Sequence, residues 1–197
     1  MSSIINIFPT SIYAVKLNGI NNKNLKNYII EISKNNKSVQ LTNRGGWQSN
    51  NLSNDKNLKN LIEVIGNNVN KFADQIKLKT PQILGNIWAN VNGYRHFNVP
   101  HAHPYSLLSG AYYVNVPKNS GKLIFLHPKI ELFNYDWNDK NIKEYGENNC
   151  GEWRINPEEG LLIIFPNWAT HLVEPNLNKK EKRISLSFNF YFKNDQY

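Results

Sequence analysis

From Gln82 onward the chain reads as a succession of short strands, and that run narrows the fold more than any other feature. The segments ILGNIWANVNGY, SLLSGAYYVNV, KLIFLH, GEWRI, GLLIIFP, HLVEP and RISLSFNFYF each look like strands, with turn residues between them. In the last of them Arg183, Ser185, Ser187 and Asn189 alternate with Ile184, Leu186, Phe188 and Phe190. Successive strand residues point to opposite faces, so one face of this strand is polar and the other apolar.

Two helical stretches precede the strands. Leu25, Tyr28, Ile29 and Ile32 recur at helical spacing within Asn24 to Lys34. After Ser53-Asn54-Asp55, the positions Leu58, Leu61, Ile62, Ile65, Val69, Phe72 and Ile76 follow one face for several turns. Gly66 interrupts that face at a cost of about 1 kcal/mol against Ala. Ile4 to Leu17, with Pro9 near its middle, suits an edge strand. Helices followed by a run of strands point to an α+β, mainly β fold, with N-terminal helices buttressing a jelly-roll or cupin-like barrel. No repeat, linker or low-complexity tract divides the 197 residues. The chain therefore reads as a single domain over 1–197, with a helical buttress over about 20–80 and the barrel over about 82–193.

Composition excludes some classes. A single cysteine, Cys150, rules out an internal disulfide framework and suits a reducing compartment. The N-terminal stretch MSSIINIFPTSIYAVKL lacks the pattern of a signal peptide, and no apolar run approaches the roughly 18 residues of a membrane helix. A soluble, cytoplasmic protein is the expectation, with room for a homodimer. The net charge of +8 is spread among asparagines, as in NNKNLKNY and NDKNLKN, so no dedicated nucleic-acid surface stands out.

Two of the five histidines, His101 and His103, stand one residue apart. On a strand they would project from the same face and could address one metal ion; a surface His-x-His that does nothing is the competing reading. His171 follows the apolar run Leu161 to Phe165 and a Pro-Asn turn, and across a barrel mouth it could join the pair. Its alternative is a core or turn histidine bonded to backbone. Arg183 opens the last strand with Ser185 two residues on. A guanidinium grips a carboxylate bidentately and the hydroxyl adds a donor, whereas the alternative is a solvent-facing polar stripe.

In order, the chain carries Gly45-Gly46-Trp47-Gln48-Ser49, Trp88-x-Asn90, His-x-His-Pro, Ser109-Gly110-x-Tyr112-Tyr113, G-x-x-x-x-FP before His171, and R-I-S-x-S-F-N. This set resembles the Fe(II)- and 2-oxoglutarate-dependent oxygenases, in particular a bacterial and phage branch of that family, and spans most of the chain from Gly45 to Asn189. The resemblance implies a double-stranded β-helix. It also implies Fe(II) held by His101, His103 and His171, with 2-oxoglutarate as cosubstrate and O2 as oxidant. Arg183 and Ser185 would hold the far carboxylate of 2-oxoglutarate, and Asn90 would help to position it or the substrate. Trp88, Tyr112, Tyr113 and Trp168 would wall the cavity. Hydroxylation of a C–H bond, with release of succinate and CO2, is the activity implied.

The chain departs from the family pattern at His103, which stands where an Asp or Glu is usual. Three histidines make a neutral ligand set, one unit more positive than two histidines and a carboxylate, which 2-oxoglutarate itself could offset. The alternatives are water, an anion or a carboxylate such as Glu174 at that place. A cupin-type metal enzyme or small-molecule-binding barrel is a rival, although its first motif needs a Glu soon after His-x-His and PYSLLSG contains no acid. A non-enzymatic β sandwich is a second. The substrate, small molecule or macromolecule, is not legible.

Overall fold

The computed structural model describes residues 2–192, with the backbone alone for 132–134; the ends of the 1–197 domain and of the 82–193 barrel fall outside the described residues. The elements run β1 (Tyr13–Lys16), α1 (Asn22–Asn35), β2 (Asn43–Arg44), β3 (Trp47–Gln48), a short turn of 3-10 helix (Lys56–Leu58) and α2 (Lys59–Gln75). They continue with β4 (Gln82–Asn92), β5 (Phe97–His101), β6 (Leu108–Asn115), β7 (Leu123–Leu126) and α3 (Ile130–Asp136). The last four are β8 (Glu152–Ile155), β9 (Leu161–Pro166), β10 (His171–Val173) and β11 (Arg183–Phe192).

The strands form two antiparallel sheets, ordered β1-β9-β6-β11-β4-β3 and β2-β5-β10-β7-β8. This is the mainly β, double-stranded β-helix architecture, with two N-terminal helices packed on the six-stranded sheet. The side chain of Asn21 caps α1 by accepting the Asn24 N–H at 3.0 Å. Helix α2 buries Leu61, Ile65, Val69, Phe72 and Ala73 against that sheet. Burying a large aliphatic or aromatic side chain of this kind contributes about 1.5–3 kcal/mol.

The alternation in β11 divides two interiors. Ile184, Leu186, Phe188 and Phe190 join the core beneath the helices. A smaller core of Tyr113, Leu123, Phe125, Ile163 and Phe165 lies between the sheets, and the polar row of β11 faces the same space. Strand β4 repeats the pattern: Ile87, Ala89 and Val91 pack under the helices, while Trp88 and Asn90 face inward.

The Gly45-Gly46 pair joins β2 of one sheet to β3 of the other. Gly45 has φ +77, and a Cβ on Gly46 would meet the amides of Asn43 and Asn92 at 2.6–2.7 Å. The edge strand expected over Ile4 to Leu17 is shorter than the sequence pattern indicates. Only Tyr13–Lys16 pairs, at the sheet edge with β9, and Ile4, Ile5, Ile7 and Phe8 are exposed with no sheet neighbour. The strand pattern also missed α3 and the brief strands β2, β3 and β5.

Candidate metal centre and its pocket

His171 opens β10 and is the direct cross-strand partner of His101, the last residue of β5. His103 is not beside His101 on a strand, as its spacing suggested. The chain turns after His101, and the His103 N–H donates to the Asn167 carbonyl at 2.9 Å. The three rings nonetheless converge. Each offers a nitrogen, and these ligand atoms all lie within 4.8 Å of one another.

Every ring is held from behind at Nδ1. His101 Nδ1 lies 2.8 Å from the Val99 carbonyl and His171 Nδ1 lies 2.9 Å from the Ala169 carbonyl. His103 Nδ1 lies 2.8 Å from Asn189 Oδ1. These oxygens only accept, so each Nδ1 carries the proton and each Nε2 presents its lone pair. Burial, reinforced by the neighbouring His101, lowers the pKa of His103 to about 4 and that of His171 to about 3; burial also lowers that of His101. The rings are neutral near pH 7, the state a metal requires. Phe165 packs edge-on to His171 with centroids 4.6 Å apart, and Trp88 stacks on His103 at 5.9 Å.

The pocket continues from the histidines to Asn90, Ser185, Ser187, Tyr113 and Arg183. Part of its wall is a cross-strand ladder in which Trp88 faces Ser187 and Asn90 faces Ser185. Arg183 is 1% exposed. Its Nη1 donates to the carbonyls of Ser120 and Glu174, the latter at 3.0 Å. Among the described residues no carboxylate forms an ion pair with it. Burial lowers its pKa, with Tyr113 and Glu174 acting in the opposite direction. A buried guanidinium held only by neutral oxygens is a site prepared for an anion.

Four buried side-chain polar atoms among the described residues lack a partner, and three of them belong to this pocket: His103 Nε2, Asn90 Oδ1 and Arg183 Nη2. Buried polar groups are nearly always paired, so this concentration marks a place that a ligand completes. An imidazole lone pair suits a metal, and a guanidinium suits a carboxylate.

Two residues expected on the cavity wall lie elsewhere. Tyr112 points to the helix side, fully buried, with its hydroxyl donating to Asn22 Oδ1 at 2.8 Å. Its neighbour Tyr113 lines the pocket, because adjacent strand residues face opposite ways. Trp168 is 50% exposed and does not line it. Glu174 is no substitute ligand, since its carboxylate accepts from Arg154 at 3.1 Å and from the Lys122 N–H at 3.0 Å. The sequence alone assigns no role to Ser187 and Asn189, although their place in the polar row of β11 is the available signal.

Residues 86–189, just over half the chain, match the family described as "Putative 2OG-Fe(II) oxygenase". No curated protein sequence matches. Among solved structures the chain is similar to the non-heme alpha ketoglutarate dependent epimerase SnoN from nogalamycin biosynthesis, with TM-score 0.69, 13% identity, and coverage of 93% of this chain and 77% of that one. It is also similar to a Pseudomonas putida prolyl-4-hydroxylase, with TM-score 0.64, 14% identity and coverage of 93% and 94%. A third is the viral collagen prolyl hydroxylase of Paramecium Bursaria Chlorella virus-1 in its 2OG complex, with TM-score 0.60, 12% identity and coverage of 91% and 94%. At such identities the structures speak for the fold, while the sequence match over β4 to β11 establishes the relationship: the chain belongs to the 2OG-Fe(II) oxygenase family.

Proposed function

We propose that the protein hydroxylates a C–H bond of its substrate, consuming one 2-oxoglutarate and one O2 and releasing succinate and CO2. The observation that carries this reading is the set of three orphaned atoms on one pocket, His103 Nε2, Asn90 Oδ1 and Arg183 Nη2. His101, His103 and His171 hold Fe(II), which when bound supplies the activation of O2 that no amino-acid side chain provides.

The remaining work belongs to the chain. Arg183 receives the far carboxylate of 2-oxoglutarate, with Ser185 as a second donor and the Tyr113 hydroxyl on the same pocket. Burial pushes the Tyr113 phenol up to about 12, so it keeps its proton and can donate. Asn90 has its amide nitrogen on Ser187 Oγ at 3.1 Å, which leaves its oxygen to accept from a bound molecule. Phe165, Phe125 and Trp88 keep water from the ligand nitrogens. A reducing, cytoplasmic setting fits the lone half-buried Cys150.

The test is succinate formation by the purified protein supplied with Fe(II), ascorbate, 2-oxoglutarate and air. Slow turnover without substrate is expected, and none in His171→Ala. An equal rate in that variant would overturn the reading, as would a metal-loaded protein that neither binds nor consumes 2-oxoglutarate.

A further inference from the structure

His101 and His171 are backed alike. Each ring leans on a carbonyl two residues upstream, Val99 for one and Ala169 for the other. Such a support is local and built into the strand. His103 has left the strand and has no support of this kind; its Nδ1 is met instead by a side chain of β11, Asn189 Oδ1 at 2.8 Å.

Asn189 is itself clamped. Ser109 Oγ donates to Oδ1 at 2.7 Å, and Nδ2 donates to Asn86 Oδ1 at 2.9 Å. Ser106 Oγ stands 3.0 Å from Ser109 Oγ and 3.0 Å from the backbone carbonyl oxygen of His103; because the Ser109 proton is given to Asn189, the single Ser106 proton serves one of the two at a time. Asn189 thus meets the His103 ring with Ser109 behind it, and Ser106 lies between Ser109 and the His103 carbonyl. The ring of the one loop-borne histidine is thereby tied to the sheet.

We infer that Asn189 is the positioning residue for the centre, fixing the tautomer and ring angle of His103 so that Nε2 completes the metal site. The inference rests on reading His103 as a ligand. It assigns a purpose to two residues of the sequence motifs that the chemistry otherwise leaves idle, Ser109 of Ser-Gly-x-Tyr-Tyr and the final Asn of R-I-S-x-S-F-N. The physical reason is that an imidazole can bind through either nitrogen and rotate about its last side-chain bond. An acceptor behind Nδ1 removes both freedoms, and the loss of such a support costs a metal site about 10- to 100-fold in affinity.

The competing account is that Asn189 only satisfies its buried neighbours. Two substitutions separate the accounts, because both Asn189→Ala and Asn189→Asp lose the Nδ2 that donates to Asn86, while only Asp keeps an oxygen behind His103. Co(II) is the probe, read by its visible absorption and by its dissociation constant. Asn189→Ala is expected to weaken Co(II) by about 10- to 100-fold and to change the absorption band, whereas Asn189→Asp binds at least as tightly as the parent. If Asn189→Ala does not fold, Asn189→Leu fills the volume without the acceptor and replaces it. Equal weakening in the Ala and Asp variants, or weakening in neither, would overturn the inference while leaving the three-histidine site intact. Failure of the site itself looks different: Co(II) would not bind the parent, or would bind His101→Ala and His171→Ala as tightly as the parent.

Discussion

His101 and His171 are direct partners across the antiparallel pair β5 and β10, with ring centroids 4.3 Å apart. Sheet register thus sets the distance between two residues far apart in the chain, and loop conformation has little part in it. Replacing His171 by Ala removes one of the three proposed ligands and leaves its partner's position intact. Mn(II) affinity, followed by electron paramagnetic resonance, should fall by more than the roughly 10- to 100-fold that the loss of a supporting hydrogen bond costs. An affinity within a few-fold of the parent would exclude His171 from the site.

Arg183 offers a test of the proposed cosubstrate end alone. Arg183→Met keeps much of the volume, removes a lone buried charge, and leaves the carbonyls of Ser120 and Glu174 short of a donor. These effects oppose each other, so the metal-free melting temperature should move little. The parent protein, in the presence of metal, should gain about 2.7 kcal/mol from 2-oxoglutarate at a hundred times its dissociation constant, and the variant should gain none. Metal affinity measured without 2-oxoglutarate should be unchanged. An undiminished 2-oxoglutarate stabilisation in the variant would place the carboxylate elsewhere.

Much of this site could be read from the chain because strand periodicity is short-ranged and strict. The alternation of Arg183, Ser185, Ser187 and Asn189 with apolar residues is a local fact, and it survives as the two faces of β11. What local pattern could not show was which face meets the helices. Tyr112 and Tyr113 are chemically alike and adjacent, and only the packing of α1 and α2 on one side of the sheet decides that Tyr113 takes the pocket. The spacing of His101 and His103 misled for a related reason. Two residues apart means the same face only while the strand lasts, and β5 ends at His101.

Two glycines separate backbone cost from packing need. Gly66 lies within α2, and a Cβ there would meet nothing closer than the Phe190 ring at 3.9 Å. Gly66→Ala should therefore stabilise the fold by about 0.5–1 kcal/mol, read as a higher urea midpoint at constant slope. Gly110, in β6, is the opposite case. A Cβ there would fall 2.3 Å from the Ile163 carbonyl and 2.4 Å from the Phe188 ring. Gly110→Ala should cost at least the ~1–3 kcal/mol of an overpacked core, so a neutral result would mean that β6 and β9 lie further apart than this packing requires.

Tyr113 gives the fold a dependence on alkaline pH with a definite sign. Its pKa rises from 10.0 to about 12, chiefly through burial, with the charge of Arg183 pulling the other way. Below pH 10 both folded and unfolded chains keep the proton, and the full contribution is present. Between about 10 and 12 the unfolded chain gives up its proton and the folded chain does not, so stability drains as pH rises. Each pH unit between the two pKa values is worth about 1.36 kcal/mol, and the loss reaches ~2.7 kcal/mol by the upper end. Tyr28 and Tyr112 are also raised and add to the decline. Tyr113→Phe should therefore flatten the fall in stability between pH 9 and 11 relative to the parent, measured by urea unfolding at each pH. Parallel curves for the two proteins would mean that the Tyr113 phenol ionises as freely in the fold as outside it.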